Sequence, residues 1–115
     1  MTITSDGLCE AKCAPCEGGV PPMPEEEIRH HLAATPEWEL TEDGKGIARD
    51  FRCRNFVGCV ERIDQIAELA EAEQHHPDLH LTGYRNLRVE LTTHAIGGLS
   101  ENDFIVAAKI DRLLG

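Results

Sequence analysis

The chain has 115 residues, a length typical of one domain, and 41% of its residues are hydrophobic and 28% charged. Its formal net charge of −10 disfavours binding to the phosphate backbone of nucleic acids, because like charges repel. No apolar run approaches the ~20 residues that a membrane helix needs, and the first residues lack the basic and apolar stretches of a signal peptide. We therefore expect a cytoplasmic protein that binds neither nucleic acid nor a membrane.

The first 23 residues are predicted to form a cysteine-containing tail or an arm over the domain, because they show no apolar period. The chain has five cysteines, an odd number, and without secretion we do not expect a disulfide framework. Three of them have the spacing Cys9-x3-Cys13-x2-Cys16. We expect a reduced tail, and the alternative is a redox segment or a metal site that needs a further ligand.

The first predicted elements are a helix and a hairpin. Three glutamates at residues 25–27 favour a helix N-terminus, and Thr35-Pro36 ends this helix. Residues 37–41 alternate in polarity and read as a strand. The turn sequence of residues 43–46 then returns the chain into a second strand over residues 47–54.

A second helix, a second strand pair and a last helix follow. Asn55 is predicted to cap the second helix, which continues to the pair of histidines before Pro77. The helix ends there because the residue before a proline avoids the helical conformation. Residues 79–84 and 87–93 read as strands, and the Ser-Glu-Asn-Asp sequence of residues 100–103 resembles a capping box that opens the last helix.

The predicted order of elements is therefore α-β-β-α-β-β-α. The simplest closed arrangement of this order is an α+β fold, a four-stranded antiparallel sheet with three helices on one face. We assign residues 24–115 to this domain and residues 1–23 to the N-terminal tail.

Histidines concentrate in the second half of the chain, where His75, His76, His80 and His94 fall within twenty residues. Imidazole can donate or accept a proton near neutral pH without a metal. Glu71 lies one helical turn before His75, and we expect it to face that ring and fix its tautomer. His94 follows a strand, and we expect it to approach from an opposite wall. One ring would then donate a proton while the other accepts one.

Structural roles compete with this catalytic hypothesis. Adjacent histidines at a helix end also occur as simple capping groups, and we expect Asp103 to cap the last helix whatever else it does. A zinc site built from His75, His76 and His94 would lack a clear carboxylate ligand, so we expect no metal. The other three histidines are expected at the protein surface: His30, His31 and His80.

The candidate residues form one spaced set: Glu71-x3-His75-His76-Pro77, then Tyr84, His94 and Asp103. The chain resembles the pterin-4a-carbinolamine dehydratase family in this pattern. The resemblance spans roughly residues 24 to 112. A motif set spread over this distance is more specific than one short pattern. The resemblance implies the α+β fold described above. It also implies a homodimer joined through sheet edges, or a homotetramer of such dimers.

The resemblance also implies an enzyme. The implied reaction is that of a 4a-hydroxytetrahydrobiopterin dehydratase, a hydro-lyase that removes water from 4a-hydroxytetrahydropterin and gives quinonoid dihydropterin during tetrahydropterin recycling. It needs no cofactor and no metal. His75, His76 and His94 are the implied catalytic residues. His75 would protonate the hydroxyl and His94 would handle a ring-nitrogen proton, although these two roles can be exchanged, while His76 would chiefly orient the substrate.

Further site residues follow from the same resemblance. The implied substrate-binding residues are Gln74, His75, His76, Thr92, Thr93 and His94. Glu71 and Asp103 would support the catalytic rings from behind. The alternative function is a non-catalytic binding or assembly protein on the same scaffold, and the presence of all three histidines favours the enzyme.

Overall fold

The computed structural model describes residues 3–14 and 21–114, and its centre is one four-stranded sheet. The strands are β1 (Glu39–Leu40), β2 (Ile47–Arg52), β3 (Asp78–Thr82) and β4 (Asn86–Leu91). They lie in the spatial order β1-β2-β4-β3, and each neighbouring pair is antiparallel. The predicted α+β fold is therefore confirmed.

Helices pack against the sheet. In the described residues they are α1 (Ser5–Glu10), α2 (Glu25–Ala34), α3 (Phe56–Glu73) and α4 (Glu101–Leu114), with a 3₁₀ turn at His94–Ile96. The helices α2, α3 and α4 are the three predicted ones. Within the described part of the chain, no helix is both long enough and apolar enough to cross a membrane.

The short helix α1 was not predicted, since it lies in the segment expected to be a tail. Thr4 caps it, because its Oγ1 accepts a hydrogen bond of 3.0 Å from the amide of Gly7. Leu8 is only 4% exposed, and α1 packs against α4. Tertiary packing therefore holds a helix that is too short to be stable on its own.

The sheet buries one face and leaves the other open, as the alternation of residues in β4 predicted. Leu87, Val89 and Leu91 of β4 are buried in the core that the sheet shares with the helices. Arg88 lies between them on the opposite face, where it pairs with Asp50 of β2. The three predicted helices consequently pack on a single face of the sheet.

Helix α4 is the central helix of the core. Every residue from Asn102 to Ala108 is buried, and Asp111 near its end joins it to the strands. Trp38 donates a 2.9 Å hydrogen bond from Nε1 to the carboxylate of Asp111, and Arg49 forms an ion pair with the same group. This connection ties the end of α4 to Arg49 of β2 and to Trp38, the residue just before β1.

Both hairpins are shorter than predicted. After β1, the Thr41 hydroxyl binds the Asp43 carboxylate at 2.6 Å and accepts from the amide of Gly46 at 3.0 Å, and these local bonds replace strand pairing. After β3, Gly83 and Tyr84 have left-handed backbones with φ of 53° and 56°. Tyr84 therefore lies in an exposed turn and not in the strand predicted for it.

Two further expectations are wrong. His31 was expected at the surface but is 6% exposed; its Nδ1 donates a 2.8 Å hydrogen bond to the carbonyl of Glu27. Its ring centre lies 4.9 Å from that of buried Phe104. Cys53 and Cys59 form a disulfide that was not expected, because the chain reversal between β2 and α3 brings their Cα atoms to 5.3 Å.

Candidate active site

A cleft of about 580 Å³ opens where the end of α3, the end of β4 and the start of α4 meet. His75 and His76 follow α3 and line one side, while His94 enters from the 3₁₀ turn after β4. The fold thus brings the three rings to one cavity from two different elements. Their catalytic roles remain predictions at this point.

The end of α3 is built so that His75 turns back toward the fold. Gln74 has a left-handed backbone with φ of 55°, an uncommon conformation for a residue other than glycine. Its amide bonds to the carbonyl of Glu71 at 3.4 Å, and the amide of His75 bonds to the carbonyl of Ala70 at 3.2 Å. This is the Schellman pattern of a helix end, which reverses the chain and directs His75 toward α4.

His75 is held by Asp103, a carboxylate that has no exposed side-chain surface. Nε2 of His75 lies 2.6 Å from Oδ1 of Asp103. The other oxygen of Asp103 accepts from the Thr93 hydroxyl at 2.8 Å and from the amide of Ser100 at 3.0 Å. The bond from Ser100 belongs to the predicted capping box, so Asp103 caps α4 and orients His75 at once. Because Nε2 donates to the carboxylate, Nδ1 remains to exchange a proton with a ligand.

The prediction that Glu71 faces His75 is wrong. Oε2 of Glu71 lies 2.5 Å from Nε2 of His76, and the two side chains are 73% and 58% exposed. Because the backbone turns at Gln74, the ring of His75 contacts Asp103 and the ring of His76 contacts Glu71. An exposed pair of this kind contributes only about 0–1 kcal/mol, so His76 is held less firmly than His75.

The remaining predicted contacts also line the cleft, and each side chain makes a hydrogen bond within the protein. The Thr92 hydroxyl donates to the carbonyl of Lys45 at 2.5 Å. The Thr93 hydroxyl bonds to Asp103, and the side-chain amide of Gln74 donates to the carbonyl of Glu71 at 2.8 Å. These bonds hold the three side chains in place as walls of the cleft.

Part of the lining was not predicted from the sequence, namely Cys13 and Ala14 of the N-terminal arm together with Glu73 and Asn102. The Cys13 amide donates to Oε1 of Glu73 at 2.9 Å, and Lys109 donates to Oε2 of the same carboxylate at 2.6 Å. No apolar period marks the arm, so nothing in the sequence indicated that it reaches the cleft.

Two of these groups have shifted pKa values. Burial raises the pKa of Glu73, but the Lys109 ammonium and the Cys13 amide together lower it by more, so that it falls below its ordinary 4.5. Burial and the nearby Glu73 carboxylate raise the pKa of Cys13 to about 12. Cys13 is therefore a neutral thiol at physiological pH, and a neutral thiol is a poor nucleophile and a poor metal ligand.

In residues 3–14 and 21–114, no three His, Cys, Asp or Glu side chains are placed so that they could share a metal ion. Cys9 and Cys13 are free thiols, whereas Cys16 lies outside the described residues. The predicted alternative of a metal or redox role for the three cysteines is thus not tested.

Comparison with known proteins identifies the family to which the chain is similar. A family model described as pterin 4 alpha carbinolamine dehydratase matches residues 21–113. A relative from Halorhodospira halophila is 46% identical over 92% of this chain and 96% of its own length. Another, from Nitrosomonas eutropha, is 47% identical over 99% of this chain and 98% of its own length. Both bear the provisional name pterin-4-alpha-carbinolamine dehydratase.

A solved structure and a plant protein extend the comparison. The crystal structure of a transcriptional coactivator/pterin dehydratase from Brucella melitensis has a TM-score of 0.76 and 29% identity, covering 82% of this chain and 99% of that one. The Arabidopsis thaliana protein named pterin-4-alpha-carbinolamine dehydratase 2, mitochondrial, is 41% identical over 92% of this chain and 58% of its own length. With the family model over residues 21–113, these matches show that the chain belongs to the pterin-4-alpha-carbinolamine dehydratase family.

Proposed function

We propose that this protein is a 4a-hydroxytetrahydrobiopterin dehydratase, a hydro-lyase that removes water from 4a-hydroxytetrahydropterin and gives quinonoid dihydropterin. The observation that carries the proposal is the cleft in which His75, His76 and His94 meet, with His75 oriented by the buried carboxylate of Asp103. The family match and the names of the relatives support the same reaction.

The reaction breaks one carbon–oxygen bond and moves two protons. A general acid protonates the hydroxyl on C4a, which then leaves as water. A general base removes the proton of the adjacent ring nitrogen, and the nitrogen electrons form the new carbon–nitrogen double bond. The acid and the base regain their starting states by exchanging one proton, so that no cofactor and no metal is consumed or needed.

His75 is the acid in this proposal. Its Nε2 is committed to Asp103, which leaves Nδ1 as the atom that delivers a proton to the C4a hydroxyl. His94, which lines the same cleft, takes the ring-nitrogen proton. His76 binds and orients the heterocycle, while Gln74, Thr92 and Thr93 complete the walls of the binding site. A positioned acid or base typically contributes about 10²–10⁴ in rate.

The test is an absorbance assay of 4a-hydroxytetrahydropterin dehydration with the purified wild-type protein and the double variant His75→Ala/His94→Ala. We expect the wild type to accelerate dehydration and the double variant to lose at least about 10²-fold, the lower estimate for one proton-transfer group. The matched control is His30→Ala/His80→Ala, which removes two exposed histidines outside the cleft. Full activity in a folded His75/His94 variant would overturn the proposed mechanism.

A binding function on the same scaffold is the second candidate, because the Brucella melitensis protein is named a transcriptional coactivator as well as a dehydratase. Phe56 and Val57 at the start of α3 are 52% and 62% exposed, and they lie outside the cleft. Partner capture that survives His75→Ala/His94→Ala would show a binding function separate from catalysis.

We also propose that the protein forms a homodimer or a homotetramer. Light scattering would measure the mass of this assembly.

A further inference from the structure

We propose that Cys13 and Ala14 of the N-terminal arm form a substrate-binding wall, and that Ala14 sets the width of the cleft available to the pterin. This inference rests on the proposed function and adds residues to its site. The arm lies outside residues 21–113, the part of the chain that the family model matches. The wall is therefore a feature of this chain beyond the matched domain.

Two connections hold the arm at the cleft. The amide of Ala14 donates to Oδ1 of Asn102 at 2.9 Å, and Nδ2 of Asn102 donates back to the carbonyl of Ala14 at 2.6 Å. The Cys13 amide adds a 2.9 Å bond to Glu73. Asn102 belongs to the first turn of α4 and Glu73 ends α3, so the arm joins two elements that bound the cavity.

The segment before these connections is also anchored. Leu8 of α1 is buried, and the Cys9 thiol donates to the carbonyl of Ala108 at 3.2 Å. Arg112 of α4 pairs with Asp6 at 3.1 Å. Because α1 is fixed along α4, residues 11–14 are led to the cleft from a defined starting point. The wall is thus part of the folded domain and not a loose tail that happens to lie near it.

The chemistry of the wall suits shape recognition and not proton transfer. The pKa of Cys13 lies at about 12, so its side chain is uncharged under working conditions. Glu73 is occupied on one oxygen by Cys13 and on the other by Lys109. Ala14 presents only a methyl group, and it is exposed at the cleft. A larger side chain at Ala14 would therefore take up space meant for the ligand without disturbing the core.

The experiment compares Ala14→Trp with Lys12→Trp in the full-length protein. Lys12 is an exposed residue of the same arm that does not line the cleft, so the two variants place the same tryptophan side chain two residues apart. Steady-state dehydration gives KM and kcat, and calorimetry gives the Kd of 7,8-dihydrobiopterin as a readout independent of turnover. We expect Ala14→Trp to raise KM and Kd at least tenfold with kcat within threefold of wild type, and Lys12→Trp to leave all three within twofold.

Equal values for the two tryptophan variants would overturn the wall, and so would a loss confined to kcat. If Ala14→Trp gives too little folded protein, Ala14→Leu replaces it, with an expected rise in KM and Kd of at least threefold. An inactive wild-type protein would refute the proposed dehydratase. If that inactive protein still binds dihydrobiopterin, a weaker Kd in Ala14→Trp supports the wall and an unchanged Kd refutes it.

Discussion

Replacement of Asp103 by Asn changes one atom in the most constrained part of the site. The carboxylate accepts three hydrogen bonds, at 2.6 Å from His75, 2.8 Å from Thr93 and 3.0 Å from Ser100, and it has no exposed side-chain surface. An amide has one acceptor oxygen and one donor nitrogen. In either orientation, the nitrogen therefore faces a group that donates in the wild-type protein.

The cheaper orientation keeps the oxygen toward Thr93 and Ser100, because two bonds keep their direction there and only the bond to His75 must reverse. Nε2 of His75 must then become an acceptor, which moves its hydrogen to Nδ1 and changes the tautomer offered to the substrate. Hydrogen bonds to a charged group contribute about 1.5–3 kcal/mol each. We expect the free energy of unfolding to fall by roughly 2–4 kcal/mol, since all three bonds lose their charged acceptor and the histidine must change its tautomer.

The same tautomer change should lower kcat by about 10²-fold or more, the usual contribution of a positioned acid or base. Dehydration kinetics and urea unfolding measure the two effects. The matched control is Glu71→Gln, the same carboxylate-to-amide change beside an exposed histidine, for which we expect less than about 1 kcal/mol and a less than fivefold loss. A folded Asp103→Asn protein as active as Glu71→Gln would refute the argument that Asp103 positions His75.

Two other predictions concern the groups that hold the arm. The free energy of unfolding should fall as pH rises above 9.0, because the unfolded chain loses the Cys13 proton there while the folded protein keeps it to about pH 12. The slope of this fall is at most about 1.4 kcal/mol per pH unit. Urea unfolding should show a shallower fall in Cys13→Ser, and identical alkaline profiles would contradict the raised pKa of Cys13. Lys109→Met should cost roughly 2–3 kcal/mol at pH 7, because it leaves the mostly buried Glu73 carboxylate without its cation. The pKa of Glu73 is lowered, so its contribution is present above pH 4.5 and lost below it, and the difference between wild type and Lys109→Met should shrink in acid.

Much of the fold could be predicted because local and long-range signals agree. The alternation of Leu87, Val89 and Leu91 marked the buried face of β4, and Asn55 caps α3 by accepting from the amide of Gly58. The capping box at the start of α4 exists as predicted. What failed was short structure that depends on tertiary contacts, above all α1, whose six residues carry no period and are held by Leu8.

The residues predicted to bind the substrate all line the cleft, but the carboxylate partners of the histidines were not predicted correctly. Spacing along an ideal helix put Glu71 opposite His75, yet the left-handed backbone of Gln74 breaks that geometry at the point where it matters. Residues other than glycine seldom adopt this conformation, and the local sequence contained no signal that Gln74 does so. The contribution of Cys13 and Ala14 was equally hidden, because it depends on side chains of α3 and α4 that are distant in sequence.

The most direct test of the account is to observe the imidazole rings themselves while a pterin binds. A long-range ¹H–¹⁵N NMR titration of the ¹⁵N-labelled protein with 7,8-dihydrobiopterin reports each histidine ring separately. We predict that the ring signals of His75, His76 and His94 shift together with one Kd, while those of the exposed His30 and His80 stay in place. A ligand that moves His75 without His94, or His94 without His75, would contradict a single pterin site closed by both.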